Sequence, residues 1–301
     1  MNELVSDIRK LKEEKNAVIL AHNYQRGEIQ DIADYTGDSL ELSIKASETD
    51  ADMIVFSAVR FMAETASILN PDKKVLLPEK HASCRLAEMC PVKKLREWKE
   101  KHPDFAVVSY VNTFADVKAE SDICCTSSNA VHIVKSLPDR KILFTPDRNL
   151  ASFTAQKTPG KNVIPWQGYC YVHQYIDPGK LAFLKHRYPE AEVIVHPECV
   201  PEVRRMADFI GSTAQMQKYA RETKTTEYIV GTEDGLAYRL RKDNPEKEFY
   251  PVGASCVGMK RNTLHDVLFS LKEGKHEVHV PEKTRIKAYD ALDRMMKSQG
   301  T

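Results

Sequence analysis

The feature that most limits how this chain can fold is a register that recurs three times. His22, Tyr110 and His196 stand 88 and 86 residues apart, each closing a short apolar, β-branched run: Val18 to Ala21, Val107 to Ser109, Val193 to Val195. The same two intervals separate Asp34, Asp122 and Asp208, then Ser39, Ser127 and Thr213, then Pro71, Pro159 and Pro245. The prolines lie in Asn-Pro-Asp-Lys73, Thr-Pro-Gly-Lys161 and Asn-Pro-Glu-Lys247. One such coincidence carries little weight. Four sets in one register describe an internal repeat, and a repeat at this period fixes the architecture before any single element is weighed.

Cys84, Cys170 and Cys256 follow at equal intervals of 86. The first repeat has 11 residues from Lys73 to its cysteine where the others have 9, so a two-residue insertion absorbs the change of interval. One cysteine per repeat therefore falls in an equivalent loop. Within each repeat, helical segments (6–15, 91–102, 178–188) precede the first strand, and a short helix and a second strand follow. A helix is expected to open at the Ser/Thr position. A third strand, another helix and a fourth strand (75–77, 163–165, 248–250) then lead into the cysteine loop. Alternation of strand and helix predicts an α/β fold with parallel sheets covered on both faces. We expect three homologous αβα repeats of about 86–88 residues around a pseudo-threefold axis, divided as 1–104 with an N-terminal helix, 105–190, and 191–301 with C-terminal helices.

Composition narrows the partners. Of 301 residues 42% are hydrophobic and 29% charged, and 44 basic against 43 acidic residues leave a net charge of +1. Such a balance gives no field for nucleic acid or an anionic membrane surface. The first ten residues read as an amphipathic helix, not a secretion signal. No apolar run approaches the roughly 18 residues of a membrane span. The expected location is the cytoplasm, where an odd count of seven cysteines argues against a disulfide framework.

The strand ends carry the polar groups. Ligands of α/β sheets sit beyond the carboxyl ends of strands, and i and i+2 residues of a strand share a face. His22/Tyr24, Tyr110/Asn112 and His196/Glu198 are thus expected to converge on one cavity. Their differing identities suit an asymmetric ligand; turn or helix capping is the plainer alternative. Ser39, Ser127 and Thr213 are read as helix N-caps that also offer a hydroxyl and backbone N–H groups to an anion. The cysteine spacing excludes compact zinc motifs. Three thiolates about a threefold axis suit a cubane [4Fe–4S] cluster with one iron left open, which can act as a Lewis acid in a dehydration. Buried apolar cysteines or a three-cysteine zinc site remain the alternatives at this point. Cys90, Cys124, Cys125 and Cys199 have no threefold partners and are read as structural. His173 is read as either a neighbour of the cluster or a turn or surface histidine.

Longer motifs carry a resemblance. Ala21-His-Asn-Tyr-Gln25 with Asp31-Ile-Ala-Asp34 and Gly37-Asp-Ser39 opens it. Tyr110-Val-Asn112, Thr126-Ser-Ser-Asn-Ala130 and Pro146-Asp-Arg-Asn-Leu150 continue it, and His196-Pro-Glu-Cys199 with Gly211-Ser-Thr213 completes it. Over roughly residues 17–270 the chain resembles the quinolinate synthases. The resemblance implies a [4Fe–4S] cluster on Cys84, Cys170 and Cys256. It also implies condensation of iminoaspartate with dihydroxyacetone phosphate to quinolinate, phosphate and two waters, the first ring of NAD biosynthesis. It assigns substrate contacts to His22, Ser39, Tyr110, Asn112, Ser127, His196, Glu198 and Thr213. Tyr24 and Glu198 become the proton-transfer residues, with His196 and Tyr110 completing the catalytic set. An aspartate oxidase or dehydrogenase is the implied source of iminoaspartate. Two departures stand out. Tyr171 follows Cys170 where many members have proline, and Val257-Gly-Met259 after Cys256 lacks the redox Cys-x-x-Cys that some members carry. Reductive dehydroxylation of allylic diphosphates and diphthamide radical chemistry also use three cysteines on such a scaffold, but they need other strand-end residues. An iron–sulfur electron carrier would take a fourth ligand and leave the polar cavity without a use.

Overall fold

The computed structural model describes residues 2–138 and 141–298. The first unit runs α1 (Asn2–Glu14), β1 (Ala17–His22), α2 (Gly27–Ile32), β2 (Tyr35–Gly37), α3 (Ser39–Glu48), β3 (Met53–Ser57), α4 (Arg60–Leu69), β4 (Lys74–Leu76) and α5 (Arg85–Glu88). The second runs α6 (Val92–Lys101), β5 (Ala106–Tyr110), α7 (Ala115–Lys118), β6 (Ile123–Cys125), α8 (Ala130–Ser136), β7 (Ile142–Thr145), α9 (Arg148–Lys157), β8 (Val163–Pro165) and α10 (Tyr171–Gln174). The third runs α11 (Pro178–Arg187), β9 (Glu192–Val195), α12 (Pro201–Arg205), β10 (Phe209–Ile210), α13 (Thr213–Glu222), β11 (Glu227–Gly231), α14 (Gly235–Asp243), β12 (Glu248–Pro251) and a single 3-10 turn at Met259–Arg261. Helices α15 (Leu264–Glu273) and α16 (Glu282–Lys297) close the chain.

Each unit holds one parallel four-stranded sheet, ordered β2-β1-β3-β4, β6-β5-β7-β8 and β10-β9-β11-β12. The apolar runs found in the sequence form the inner strands, buried on both faces as parallel strands require. The recurring aspartates are structural. Asp34, Asp122 and Asp208 each accept the N–H of the inner strand (Ile19, Val107, Val193) at 2.8, 2.7 and 2.8 Å, while their own N–H groups bond the carbonyls of the same residues. This buckle sets the register of the incoming second strand. The recurring lysines are structural too. Lys73, Lys161 and Lys247 donate to Thr49, Leu137 and Thr223 carbonyls just past α3, α8 and α13, where helix ends leave acceptors unpaired.

Two details differ from the sequence reading. Helix α8 opens at Ala130, not at Ser127, because the Asn129 side chain accepts from the Thr126 N–H at 2.6 Å and holds residues 126–129 as a turn. The last two helices, grouped by chain order with the third unit, pack elsewhere. α15 lies on α1 and β3, and α16 lies on β6, α7 and α4. The largest apolar cluster accordingly joins the first unit, the second unit and the inner face of α16. Among the described residues no helix is long and apolar enough to cross a membrane.

Candidate active site

The three sheets aim their carboxyl ends at one cavity, with about 640 Å³ of space free of protein atoms when its mouth is included. All twelve residues singled out in the sequence line it: His22, Tyr24, Ser39, Cys84, Tyr110, Asn112, Ser127, Cys170, His196, Glu198, Thr213 and Cys256. Convergence of the paired residues does not come from strand pleating, however. β1 and β5 end at His22 and Tyr110, and β9 one residue before His196, so Tyr24, Asn112 and Glu198 lie in the turns beyond. In two units the turn folds back on the ring: the Tyr24 N–H donates to His22 Nδ1 at 3.1 Å, and the Glu198 N–H to His196 Nδ1 at 3.3 Å.

That contact fixes the tautomer. With Nδ1 accepting, Nε2 carries the hydrogen in both rings, and in His196 it meets Ser127 Oγ at 3.2 Å. Burial lowers both imidazoles to about 3 against the opposing charge of Glu198. His22 and His196 are therefore neutral donors pointing into the cavity.

A relay joins two of the expected proton-transfer residues. His173 Nδ1 lies 2.7 Å from Glu198 Oε2, and its Nε2 lies 2.8 Å from Thr232 Oγ1. Thr232 in turn lies 2.6 Å from the Tyr24 hydroxyl. One consistent set of protons satisfies every link. Tyr24 donates to Thr232, Thr232 to His173 Nε2, and His173 Nδ1 to the carboxylate. Burial would raise Glu198, but His196 and His173 outweigh it and hold the carboxyl at about 2. Burial and the charge of Glu198 lift the Tyr24 and Tyr110 phenols well above 10. Glu198 Oε1 and Asn112 Oδ1 are buried without hydrogen-bond partners, as acceptors awaiting a ligand would be. His173 is thus a cavity residue and not a surface one. Thr232 was invisible in the sequence, since Ala58 and Pro146 occupy the equivalent places.

The helix caps also shift by one residue. Asp38 and Ser212 cap α3 and α13 through capping boxes with Glu41 and Gln215. Ser39 and Thr213 stand at the first helical position, so capping does not consume their hydroxyls. Thr213 Oγ1 instead accepts from Asn23 Nδ2 at 3.0 Å.

Three thiols line the same cavity. Cys84 and Cys170 precede the short helices α5 and α10, and Cys256 precedes the turn at Met259. Burial pushes Cys84 up to about 12 despite the N–H groups of Ala87 and Leu86, with Cys256 and Glu198 adding to the shift. Burial also raises Cys170 and Cys256. All three thiols thus stand above their ordinary value, so the set suits a metal that displaces their protons. Apolar Val59, Met62 and Met259 form the shoulder around them. Tetrahedral zinc at about 2.3 Å from sulfur would need sulfurs about 3.8 Å apart. Among the described residues, the group of three potential ligand atoms within 4.8 Å of one another is Cys170, His173 and Glu198; the three sulfurs are spread more widely. At least one pair of sulfurs is thus too wide for a single zinc ion, and the set leaves room for a larger thiolate-held group. Carboxylates missed in the sequence steady two of these loops: Asp147 Oδ2 accepts the Cys170 N–H at 2.8 Å, and Glu233 Oε1 the Cys256 N–H at 3.0 Å. They stand 86 residues apart, so the repeat register held the signal. Cys90, Cys124, Cys125 and Cys199 are wholly buried, as read.

The Quinolinate synthetase A protein family model matches residues 6–297. A quinolinate synthase of Alkaliphilus metalliredigens is 49% identical over 300 residues, covering 98% of this chain and 99% of that protein. One from Dehalococcoides mccartyi strain CBDB1 is 53% identical over 298 residues, covering 98% of each. Quinolinate synthase 2 of Methanosarcina acetivorans is 51% identical over 300 residues, covering 99% of this chain and 96% of the other. With nearly its whole length matched, and with three repeats whose strand ends and cysteine loops meet at one cavity, the chain belongs to the quinolinate synthetase A family, enzymes that make quinolinate in NAD biosynthesis.

Proposed function

We propose that this cavity condenses iminoaspartate with dihydroxyacetone phosphate to quinolinate, phosphate and two waters, with a [4Fe–4S] cluster held by Cys84, Cys170 and Cys256. The observation that carries the reading is the meeting of two sets of groups in one cavity. Three thiols, one from each repeat, line it together with neutral donors and a connected proton path. When bound, the cluster's open iron supplies a Lewis acid for a substrate hydroxyl or carboxylate.

The chain's own residues do the rest. His22 and His196 donate Nε2–H to substrate oxygens, and the hydroxyls of Ser39, Ser127 and Thr213 bind the carboxylates or the phosphate. Glu198 Oε1 is the free base for enolisation. Tyr24, kept protonated by burial, is the acid for a departing hydroxyl; the proton that Glu198 took in the enolisation returns to it once the chain reverses its polarity, with His173 Nδ1 accepting from Glu198, Nε2–H donating to Thr232, and Thr232 donating to Tyr24. Tyr110 and Asn112 orient the substrate against Glu198. Iminoaspartate hydrolyses in water, so the enclosed cavity protects it. A cytoplasmic aspartate oxidase or dehydrogenase would supply it.

The test is anaerobic iron, sulfide and zinc analysis together with quinolinate formation, for the chain and for Cys84→Ala, Cys170→Ala, Cys256→Ala and Cys199→Ala. Near four irons per chain, lost in the first three variants and kept in the last, is the expected result. The proximity of Cys170, His173 and Glu198 favours a second reading, a single divalent ion. One zinc per chain, retained in Cys84→Ala, would establish it and remove the cluster.

A further inference from the structure

Three buried polar side chains that the reaction does not use occupy one repeated position. Gln30, Lys118 and Arg204 stand 88 and 86 residues apart, and all three are buried. Each reaches back to the turn that carries cavity residues. Gln30 Nε2 donates to the Asn23 carbonyl at 3.1 Å, Lys118 Nζ to that of Val111 at 2.8 Å, and Arg204 Nη1 to that of Pro197 at 3.2 Å. Those carbonyls are equivalent, and each lies between the two cavity-lining members of its pair. Gln30 and Lys118 also hold the carbonyls of Gln25 and Thr113, two residues further on.

The same three groups cross to the next repeat, always at the first turn of the helix after its third strand. Gln30 donates to the Gly235 carbonyl at 3.1 Å and Arg204 to that of Asn149 at 2.7 Å. At the corresponding place in the first unit is Phe61, and the Lys118 ammonium lies 5.4 Å from its ring centre. The first unit thus grips the third, the third grips the second, and the second grips the first.

We infer that Gln30, Lys118 and Arg204 are positioning residues for the reaction. Each fixes one cavity turn and locks it to the neighbouring unit, so that the three turns keep a common geometry. A neutral amide does within its own turn what a cation does in the other two repeats, so the shared role is donation to the turn's buried carbonyl; only the Lys118 crossing to Phe61 uses the charge. The inference rests on the reading of this cavity as the reaction site.

The test uses the full chain with its metal centre, assayed anaerobically for kcat, KM and iron content. Lys118→Met is expected to lower kcat/KM about tenfold or more, as small misplacements of reacting groups do, with iron content unchanged. Lys118→Gln, which borrows the first repeat's side chain, is expected to recover most of that loss. In an Asn112→Ala background, Lys118→Met is expected to add little. Should Lys118→Met fail to fold, Gln30→Leu makes the same comparison against His22→Ala without removing a charge. An equal loss in both backgrounds, or no recovery by glutamine, overturns the inference and leaves a purely structural role. An Asn112→Ala enzyme as active as the parent overturns instead the reading of the cavity on which the inference rests.

Discussion

At the scale of single residues the site is defined by who holds which proton. Tyr24 is the end of a three-link chain to Glu198, and its side chain lines the cavity. Tyr24→Phe keeps the ring beside His22, 4.6 Å between centres, and removes only the proton. The expected loss in kcat is about 10²–10⁴-fold, the worth of a general acid, with iron content unchanged; a near-normal kcat would take the phenol out of the path. The neutral rings also make a statement about stability. His22 and His196 are lowered from 6.5 to about 3, so between those values the unfolded chain binds more protons than the folded one. Their contribution is whole above 6.5 and drains away as pH falls toward 3. Glu198, lowered from 4.5 to about 2, acts in the same direction below 4.5. From about pH 7 to about pH 5 the two rings pull the urea midpoint down, against the raised carboxyl of Asp147, which works the other way; in His196→Gln, which cannot take up the proton, the midpoint should therefore lose less over that range than in the parent. An equally steep variant would mean that the His196 ring takes up its proton in the fold as it does in the unfolded chain.

At the scale of elements, the loops that bear the cysteines are held by one repeated backbone clasp. The N–H groups of Arg60, Arg148 and Asp234 bond the carbonyls of Ala82, Gly168 and Ala254 at 2.8 Å each. Asp147 and Glu233 reinforce two of the three, while Val59 stands at their place in the first unit. Burial, then the charge of Glu198, pushes Asp147 up to about 8, yet both of its oxygens accept N–H groups, from Leu150 at 2.7 Å and Cys170 at 2.8 Å. Asp147→Ala removes the cap of α9, about 0.5–2 kcal/mol, and frees the Cys170 loop. Faster loss of iron to a chelator, with kcat per bound cluster preserved, is the expected outcome; parent-like release kinetics would leave Asp147 a cap alone. The strands, the cysteine loops and the buckling aspartates were legible in the sequence because the threefold register exposes whatever all repeats share. What only one repeat has was not. Thr232 has no counterpart, and a lone histidine such as His173 carries no mark of burial. The start of α8 turns on Asn129 folding back upon its own turn, which no periodicity records. The caps were misplaced by one residue because Asp38-Ser39 and Ser212-Thr213 each offer two good candidates, and only the backbone chooses.

At the scale of the molecule, attachment of the units is uneven. The first and second share one apolar core with α16, whereas the third has apolar clusters largely of its own. Sequence order could not show this, because a helix at the end of a chain reads as part of whatever precedes it. α16 buries Ala288, Ala291, Leu292 and Met295 against the second unit and α4, and α4 begins at the cavity with Phe61 and Met62. The helix is therefore a strap across the two units that supply Cys84 and Tyr110. Leu292→Ala leaves a hole in that strap at a cost of about 2–5 kcal/mol. It should lower the urea midpoint while kcat and KM stay near those of the parent, because α4 keeps its other supports in the shared core. Removing residues 282–301 takes away the strap itself. The second unit then exposes the apolar face of β6 and α7, and α4 loses its backing, so KM should rise together with the loss of stability. Equal midpoints for Leu292→Ala and the parent would show that α16 lies on the surface without supporting it, and the rise in KM on truncation would then have no structural cause.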